Sequence, residues 1–323
     1  MRLPAFSLAP ASADASFRRY FRATLAAPWA GAAGAEALIV MDAPPAHEDC
    51  RPFMHVAQLL RDAGVNAPDV VASDIDRGYL LLTDLGTTTF ASALDAQSAP
   101  ALYSDAIDAL IVWQSASRDG VLPDYDDALL RRELLLFVDW YVARHLGADL
   151  TAAQRTSLER TFDAVLANNL AQPRVFVHRD YHSRNLMVAA PNPGVLDFQD
   201  AVYGPITYDL VSLLRDAYVE WDEDRQLDWA VRYWERARVA KLPVDADFGT
   251  FWRDFEWMGV QRQLKVLGIF ARLSIRDGKA GYVNDMPRVL GYLRRAAGRY
   301  RELDPLAALL DELHDGAARV THS

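Results

Sequence analysis

VFVHRDYHSRNLMVAAPNPGVLDFQD, from Val175 to Asp200, is the stretch on which the reading of this chain turns. It opens on an apolar run, VFV, enters a polar loop, and ends in two short apolar segments, LMV and VLD. Between them stands Ala190-Pro191-Asn192-Pro193-Gly194. Proline and glycine at that density mark a turn, so the spacing predicts a strand, a loop and a short hairpin. A hairpin this short folds its last residue, Asp197, back toward Asn185, twelve positions earlier.

The loop reads His178-Arg179-Asp180-Tyr181-His182-Ser183-Arg184-Asn185, which matches H-R-D-x-x-x-x-N in full. In isolation an HRD triplet is an ordinary set of capping and ion-pairing residues. With the asparagine at this spacing, and a hairpin that closes on Asp197, the pattern suits phosphoryl transfer from ATP. That reaction needs an acceptor hydroxyl held in line and phosphate charge neutralised by metal. Asp180 is the candidate base. Asn185 and Asp197 are the candidate ligands of Mg2+, a hard ion that prefers oxygen. His178 is expected to be a structural hydrogen-bonding residue.

Working outward, Phe17–Leu25 and Leu38–Met41 read as strands joined by a loose Ala/Gly-rich loop, and Pro44-Pro45 ends the second. From 48 to 63 the residues Phe53, Val56, Ala57, Leu59 and Leu60 recur at helical spacing, and Gly64 is a stop signal. DVVAS and GYLLLTDLG predict two further strands. After Leu85-Gly86 the texture turns helical, over 101–118, 129–146 and 152–170, then from Tyr208 onward around 228–240, 251–274 and 285–301. The expected architecture is α+β: a small sheet-rich lobe over 1–84 and a larger helical lobe over 85–323, with a hinge near Thr83–Gly86.

This layout resembles the aminoglycoside phosphotransferase and choline kinase branch of the protein-kinase-like two-lobed fold. The longer runs DASFRRYFR, MDAPP, DFQDAVYGPITYDLVSLLRDAYVEW and VQRQLKVLGIFARL resemble, within it, the bacterial sugar kinases that phosphorylate N-acetylmuramate and N-acetylglucosamine at C1 in cell-wall recycling. The resemblance implies that Asp209, after Gly204-Pro205, braces the catalytic loop, although a plain carboxylate at a helix start would occupy the same place. It implies that adenine lies against the backbone around Leu82, Thr83, Asp84 and Leu85. One departure stands out. The protein-kinase pattern has a lysine on the third strand paired with a helix glutamate, but the matching strand here carries Met41, and the only lysines are Lys241, Lys265 and Lys279. The glycine-rich loop is replaced by Ala13-Asp14-Ala15-Ser16-Phe17. Ser16, Phe17 and nearby backbone are expected to cover the phosphates, with Arg18 or Arg19 supplying the positive charge; solvated strand arginines are an equal alternative. Glu48, where the helix glutamate would be sought, reads as a surface residue at a helix start.

Composition narrows the field. A net charge of −10 and a pI near 5.2 oppose a general nucleic-acid binder. MRLPAFSLAP has no apolar core, so no secretory signal is expected, and ELLLFVDWYVARHL is broken by Asp139 and Arg144, so no membrane span is expected. The single cysteine, Cys50, suits a reducing cytoplasm. No obligate protein partner is evident. The acceptor is expected to be a small amino sugar. Trp257, Gln261 and Lys265 fall at i, i+4 and i+8 of a helix rich in basic residues, which suits a sugar ring and an anionic substituent; a tryptophan at that spacing is more often core. Asp200 is a further candidate for a sugar hydroxyl. Two other readings stay open: an aminoglycoside or choline-type kinase, and a pseudokinase that binds nucleotide without turnover.

Overall fold

The computed structural model describes residues 3–13, 17–32 and 34–320, with 12, 13 and 315–320 described by backbone only. Contacts gather the chain into two compact units, Met1–Ala116 with His178–Ala201, and Ser117–Val177 with Val202–Ser323. This partition cuts the chain three times, whereas the sequence reading cuts it once, after 84.

The first unit is built on an antiparallel sheet of β1 (Phe6–Ala13), β2 (Arg19–Trp29), β3 (Ala35–Asp42), β4 (Val70–Asp74) and β5 (Tyr79–Thr83), in the order β1-β2-β3-β5-β4. Four of these follow the predicted strands. β1 does not, because Pro10 and a run of small residues hide it. Proline is tolerated there since β1 is an edge strand, with one side of its backbone free of ladder bonds. Helix α1 (Cys50–Ala63) is capped by Asp49, whose side chain accepts from the Arg51 N–H, and ends at Gly64 in the left-handed region (φ 89°). It buries the predicted stripe Phe53, Val56, Ala57, Leu59 and Leu60, each worth about 1.5–3 kcal/mol when removed from water, less for alanine. A short helix, α2 (Phe90–Ala93), and a longer one, α3 (Ala99–Ser115), follow.

The chain rejoins this unit after β6 (Arg174–Val177), a strand of the other unit, and forms the hairpin β7 (Leu186–Met187) with β8 (Gly194–Val195). Its register pairs Leu186 with Val195. Asn185 and Leu196 are therefore next across the hairpin, and the Leu196 N–H donates to the Asn185 carbonyl at 2.9 Å.

The second unit is helical, with one two-stranded ladder of β6 and β9 (Val202–Pro205). Helix α4 (Asp127–Leu136) runs into a π-helical stretch, Phe137–His145, where a single α-helix over 129–146 is expected. α5 (Ala152–Ala171) begins with a Thr151/Gln154 capping box. Then come α6 (Tyr208–Leu214), α7 (Glu223–Val239), α8 (Phe248–Asp277), α9 (Met286–Ala297) and α10 (Asp304–Val320). α8 is the axis of this unit, buried along most of its length and packed by α4, the π-helical stretch, α5, α6 and α9. No helix among the described residues is long and apolar enough to cross a membrane.

Close approach to α8 depends on Gly268. A β-carbon there would lie 2.4 Å from the carbonyl carbon and oxygen of Leu136. Backbone cannot move aside as a flexible side chain can, so Gly268→Ala should destabilise the protein by about 1–3 kcal/mol. Chemical denaturation of the purified variant measures this; an unchanged midpoint would contradict the packing.

Candidate active site

The loop between His178 and the hairpin is held by its own polar groups. His178 is buried, and its two ring nitrogens have opposite duties: Nδ1 accepts from the Asp180 N–H at 3.2 Å, and Nε2 donates to the Leu196 carbonyl at 3.0 Å. A carbonyl can only accept and an amide N–H only donate, so the imidazole is neutral with its proton on Nε2. Burial pushes its pKa down to about 4. That geometry is what a structural hydrogen-bonding role requires. His178 ties Asp180 to the residue before Asp197.

The sign of the pH dependence follows. In the unfolded chain this imidazole takes a proton near pH 6.5, in the folded chain near 4. Its contribution is fully present above pH 6.5 and is lost as pH falls toward 4. It should make the protein about 2 kcal/mol less stable at pH 5 than at pH 7. Urea unfolding at both values, on the wild type and on His178→Gln, should show a flatter pH dependence in the variant.

Asn185 and Asp197 meet as the hairpin requires. Asn185 Nδ2 donates to the Asp180 carbonyl at 3.0 Å and to Asp197 Oδ2 at 3.3 Å. With its amide nitrogen turned to these acceptors, its Oδ1 is the atom left to offer a cation. Asp197 sits in the left-handed region (φ 62°), and its Oδ1 accepts from Gln199 Nε2 at 2.9 Å. Gln199 is a residue the sequence reading passed over; it holds Asp197 from the far side. An amide oxygen and a carboxylate on a short hairpin fit Mg2+, which takes few protein ligands and completes its shell with phosphate and water.

Beside this pair lies a cavity of about 380 Å³. Asn185, Asp197 and Arg184 line it, together with Tyr20, Arg22, Ile39, Leu82, Thr83, Asp84, Leu85, Met187 and Leu196. Ile39 and Leu82 come from the sheet, Met187 and Leu196 from the hairpin, a pair of apolar walls suited to a flat ring. The Leu85 backbone takes no partner among the described residues, and so has an N–H and a carbonyl to offer. The predicted residues Leu82, Thr83, Asp84 and Leu85 are thus gathered at one cavity.

The cations are distributed by strand alternation. Successive side chains of β2 point to opposite faces, and Tyr20 and Arg22 line the cavity. Arg19 therefore faces away; it pairs with Asp42 and is 64% exposed. The reading of Arg19 as a phosphate cation is corrected on that ground. Arg18, just before β2, is not part of the cavity lining; it forms an ion pair with Glu48 at 3.7 Å. Glu48, read as a surface residue, is mostly buried and also accepts from the Phe17 N–H at 3.3 Å. Phe17 itself is exposed and stacks on His47, with centroids 4.5 Å apart. Ser16 lies outside the described residues. Arg22 was not foreseen: Nε and Nη2 hold Asp84 at 2.5 and 3.0 Å, and Nη2 also reaches the Gly86 carbonyl at 2.8 Å. The Asp84 carboxylate holds the Arg22 guanidinium above its usual pKa.

In the helical unit the acceptor candidates are corrected. Trp257, Gln261 and Lys265 are 2%, 0% and 5% exposed. Lys265 Nζ is held by Tyr208 Oη at 2.9 Å and Glu133 Oε1 at 3.1 Å, and Gln261 Nε2 donates to the Leu130 carbonyl at 2.9 Å. Trp257 packs edge-on to Tyr300. Helical spacing put them on one face, as read, but that face is core. Asp209 is wholly buried in the first turn of α6. Asp200, in the first unit, is exposed, with Gln199 Nε2 at 3.5 Å.

Residues 7–246 match the phosphotransferase enzyme family. The chain is 51% identical over 315 residues to the N-acetylmuramate/N-acetylglucosamine kinase of Pseudomonas putida, covering 98% of this chain and 91% of that one. It is 52% identical over 312 residues to the enzyme of the same name from Neisseria meningitidis serogroup B, covering 95% and 91%. Among solved structures it resembles a choline/ethanolamine kinase family protein from Mesorhizobium loti, with a TM-score of 0.59, 13% identity and coverage of 94% and 92%. It also resembles ADP-bound aminoglycoside phosphotransferase APH(2'')-Ib, with a TM-score of 0.56, 13% identity and coverage of 90% and 94%. At such identities these structures establish the kinase-like fold.

Proposed function

The chain belongs to the phosphotransferase enzyme family, and from that premise we propose that it transfers a phosphoryl group from ATP to the anomeric hydroxyl of N-acetylmuramate and N-acetylglucosamine. One observation carries the chemistry: Asn185 and Asp197, 3.3 Å apart, line the same cavity as the open Leu85 backbone. The identity above 50% to two kinases named for these sugars carries the choice of acceptor.

Asp180 orients the acceptor hydroxyl and takes its proton as the O–P bond forms. A hemiacetal O–H is more acidic than an ordinary alcohol, so a carboxylate base is adequate. Asn185 Oδ1 and the Asp197 carboxylate would hold Mg2+, which when bound neutralises phosphate charge. The Leu85 backbone receives the adenine edge between Ile39 and Leu82 on one side and Met187 and Leu196 on the other. Arg18, steadied by Glu48, stands in for the absent lysine of the third strand. The setting is the cytoplasm, where ATP is available, and the role is recycling of cell-wall amino sugars.

The acceptor assignment is tested by supplying ATP with N-acetylmuramate, N-acetylglucosamine, kanamycin or choline in turn and locating the product phosphate by NMR. Phosphate at C1 of the two sugars is expected. Turnover of kanamycin or choline alone, or of none of the four, would sink the proposal. The Arg18 role has its own measurement. Arg18→Met should raise KM for ATP about tenfold, the worth of one charge-assisted hydrogen bond, while Arg19→Met should leave it near the wild-type value.

A further inference from the structure

The ion pair between Arg22 and Asp84 also encloses a piece of backbone. Arg22 Nε and Nη2 donate to Asp84 Oδ2 and Oδ1 at 2.5 and 3.0 Å, the paired fork that a guanidinium offers a carboxylate. Nη2 reaches past Asp84 to the Gly86 carbonyl at 2.8 Å, and the Gly86 N–H returns to Asp84 Oδ1 at 2.9 Å. Both residues that flank Leu85 are therefore held by one side chain of β2. Leu85 between them keeps its own N–H and carbonyl uncommitted among the described residues. The two side chains are only 25% and 10% exposed, so solvent screens this pair far less than it screens Arg19 and Asp42, where the arginine is 64% exposed.

The register of the sheet says where this clamp stands. Ile39 pairs with Arg22 on one side and with Leu82 on the other. Cross-strand partners project to the same face, and all three line the cavity. Ile39 and Leu82 form one wall of the slot for a flat ring. Arg22 is the next residue of that row, and its guanidinium crosses to the turn after β5, where Leu85 lies.

A fixed backbone can tell one purine edge from another. Adenine presents N1 as an acceptor and its 6-amino group as a donor. A 6-oxopurine presents the reverse, an N1–H donor and an O6 acceptor. One N–H and one carbonyl at set positions satisfy the first edge, and oppose donor to donor and acceptor to acceptor on the second. A turn free to rotate its peptide planes would accommodate both. Discrimination therefore needs the turn held before the base arrives.

We propose that the Arg22–Asp84 clamp sets base selection in the nucleotide site: by holding Asp84 and Gly86, it fixes the Leu85 backbone in the arrangement that takes adenine and rejects 6-oxopurines. Arg22 and Asp84 are positioning residues in this role, since they act through Leu85. The inference rests on the nucleotide reading of the cavity given above.

The test is calorimetric titration of the full chain with ADP and with IDP, which share ribose and phosphates and differ only along the purine edge at N1 and C6. Wild type, Arg22→Lys and the double variant Arg22→Met/Asp84→Asn are compared. The double variant removes both charges at once, so no lone carboxylate is left in the cavity to repel phosphate; the lysine keeps the charge and loses the fork. Wild type should bind ADP about tenfold tighter than IDP, the worth of one hydrogen bond exchanged for an unpaired group. In the double variant that ratio should fall threefold or more, with Arg22→Lys in between. A smaller fall overturns the clamp, including the case in which wild type does not discriminate. A merely structural role would weaken both nucleotides alike and leave the ratio where it was. Should the double variant not fold, Arg22→Lys decides by the same threshold. Wild type that binds neither nucleotide overturns the nucleotide reading and the clamp with it. No sugar and no turnover enter the readout, so a protein that selects ADP yet phosphorylates no sugar refutes only the proposed function, and one that phosphorylates sugars without choosing between the bases refutes only the clamp.

Discussion

Asp180→Asn should lower kcat by about 10²–10⁴-fold, the range spanned by loss of a positioned general base, while KM for ATP stays near the wild-type value. The substitution is nearly isosteric, and three bonds of the position 180 backbone are independent of its side chain. Its N–H donates to His178 Nδ1, and its carbonyl accepts from Asn185 Nδ2 at 3.0 Å and from the His182 N–H at 3.0 Å. All three bonds survive in the variant, so the loop should keep its shape and the nucleotide cavity its lining. An amide cannot take the acceptor proton. Steady-state kinetics with saturating sugar and ATP, together with a nucleotide-binding titration, separates the two effects. A kcat within a few-fold of wild type would show that the base lies elsewhere.

Asp197→Asn should be nearly as damaging, with a loss of about 10²–10³-fold in kcat at moderate Mg2+, comparable to removing one electrostatic contact to the transferring group. Asparagine is the informative replacement because position 197 has φ 62°. Asparagine tolerates the left-handed region, whereas alanine would add backbone strain to the loss of charge. Its single amide oxygen can keep only one of the two donors, Gln199 Nε2 or Asn185 Nδ2, because its NH2 cannot accept. What disappears is the negative charge that balances a divalent cation. Activity measured against Mg2+ concentration should shift to higher metal and saturate lower. An unchanged Mg2+ dependence would remove Asp197 from the metal site.

The parts of the site that could be read from the chain are those made by neighbours in sequence. His178, Asp180, Asn185 and Asp197 lie within one loop and one short hairpin, and the Pro/Gly turn at 190–194 announces the fold-back that brings them together. Closing a loop this short costs little chain entropy, and the hairpin is further tied to Asn66 and Thr88, whose carbonyls accept from the Val195 and Val188 N–H groups at 2.7 and 2.8 Å. The strands and α1 were legible for a similar reason, since alternation and the stripe from Phe53 to Leu60 are local patterns. β1 was not, because its sequence lacks alternation and it is held by pairing with β2.

What escaped the sequence involves distant partners or the choice of a face. Arg22 meets Asp84 across 62 positions, and no local signal ranks it above Arg18 or Arg19. Only the folded sheet shows that Arg22 lines the cavity and that Arg19 turns away. Glu48 looked like a surface residue until Arg18 and Phe17 were placed beside it. Trp257, Gln261 and Lys265 were correctly set on one helical face, but periodicity carries no information on whether that face meets substrate or core; Tyr208, Glu133 and Leu130 decide that.

By itself, then, the sequence determined the loop after β6, its hairpin and the order of sheet before helices, because short-range geometry and hydrophobic period dictate them. Only the tertiary structure decided which arginine lines the cavity beside Asn185 and Asp197, and which face of α8 is core. Pairing and desolvation depend on atoms far apart along the chain, and these are set only when the elements pack.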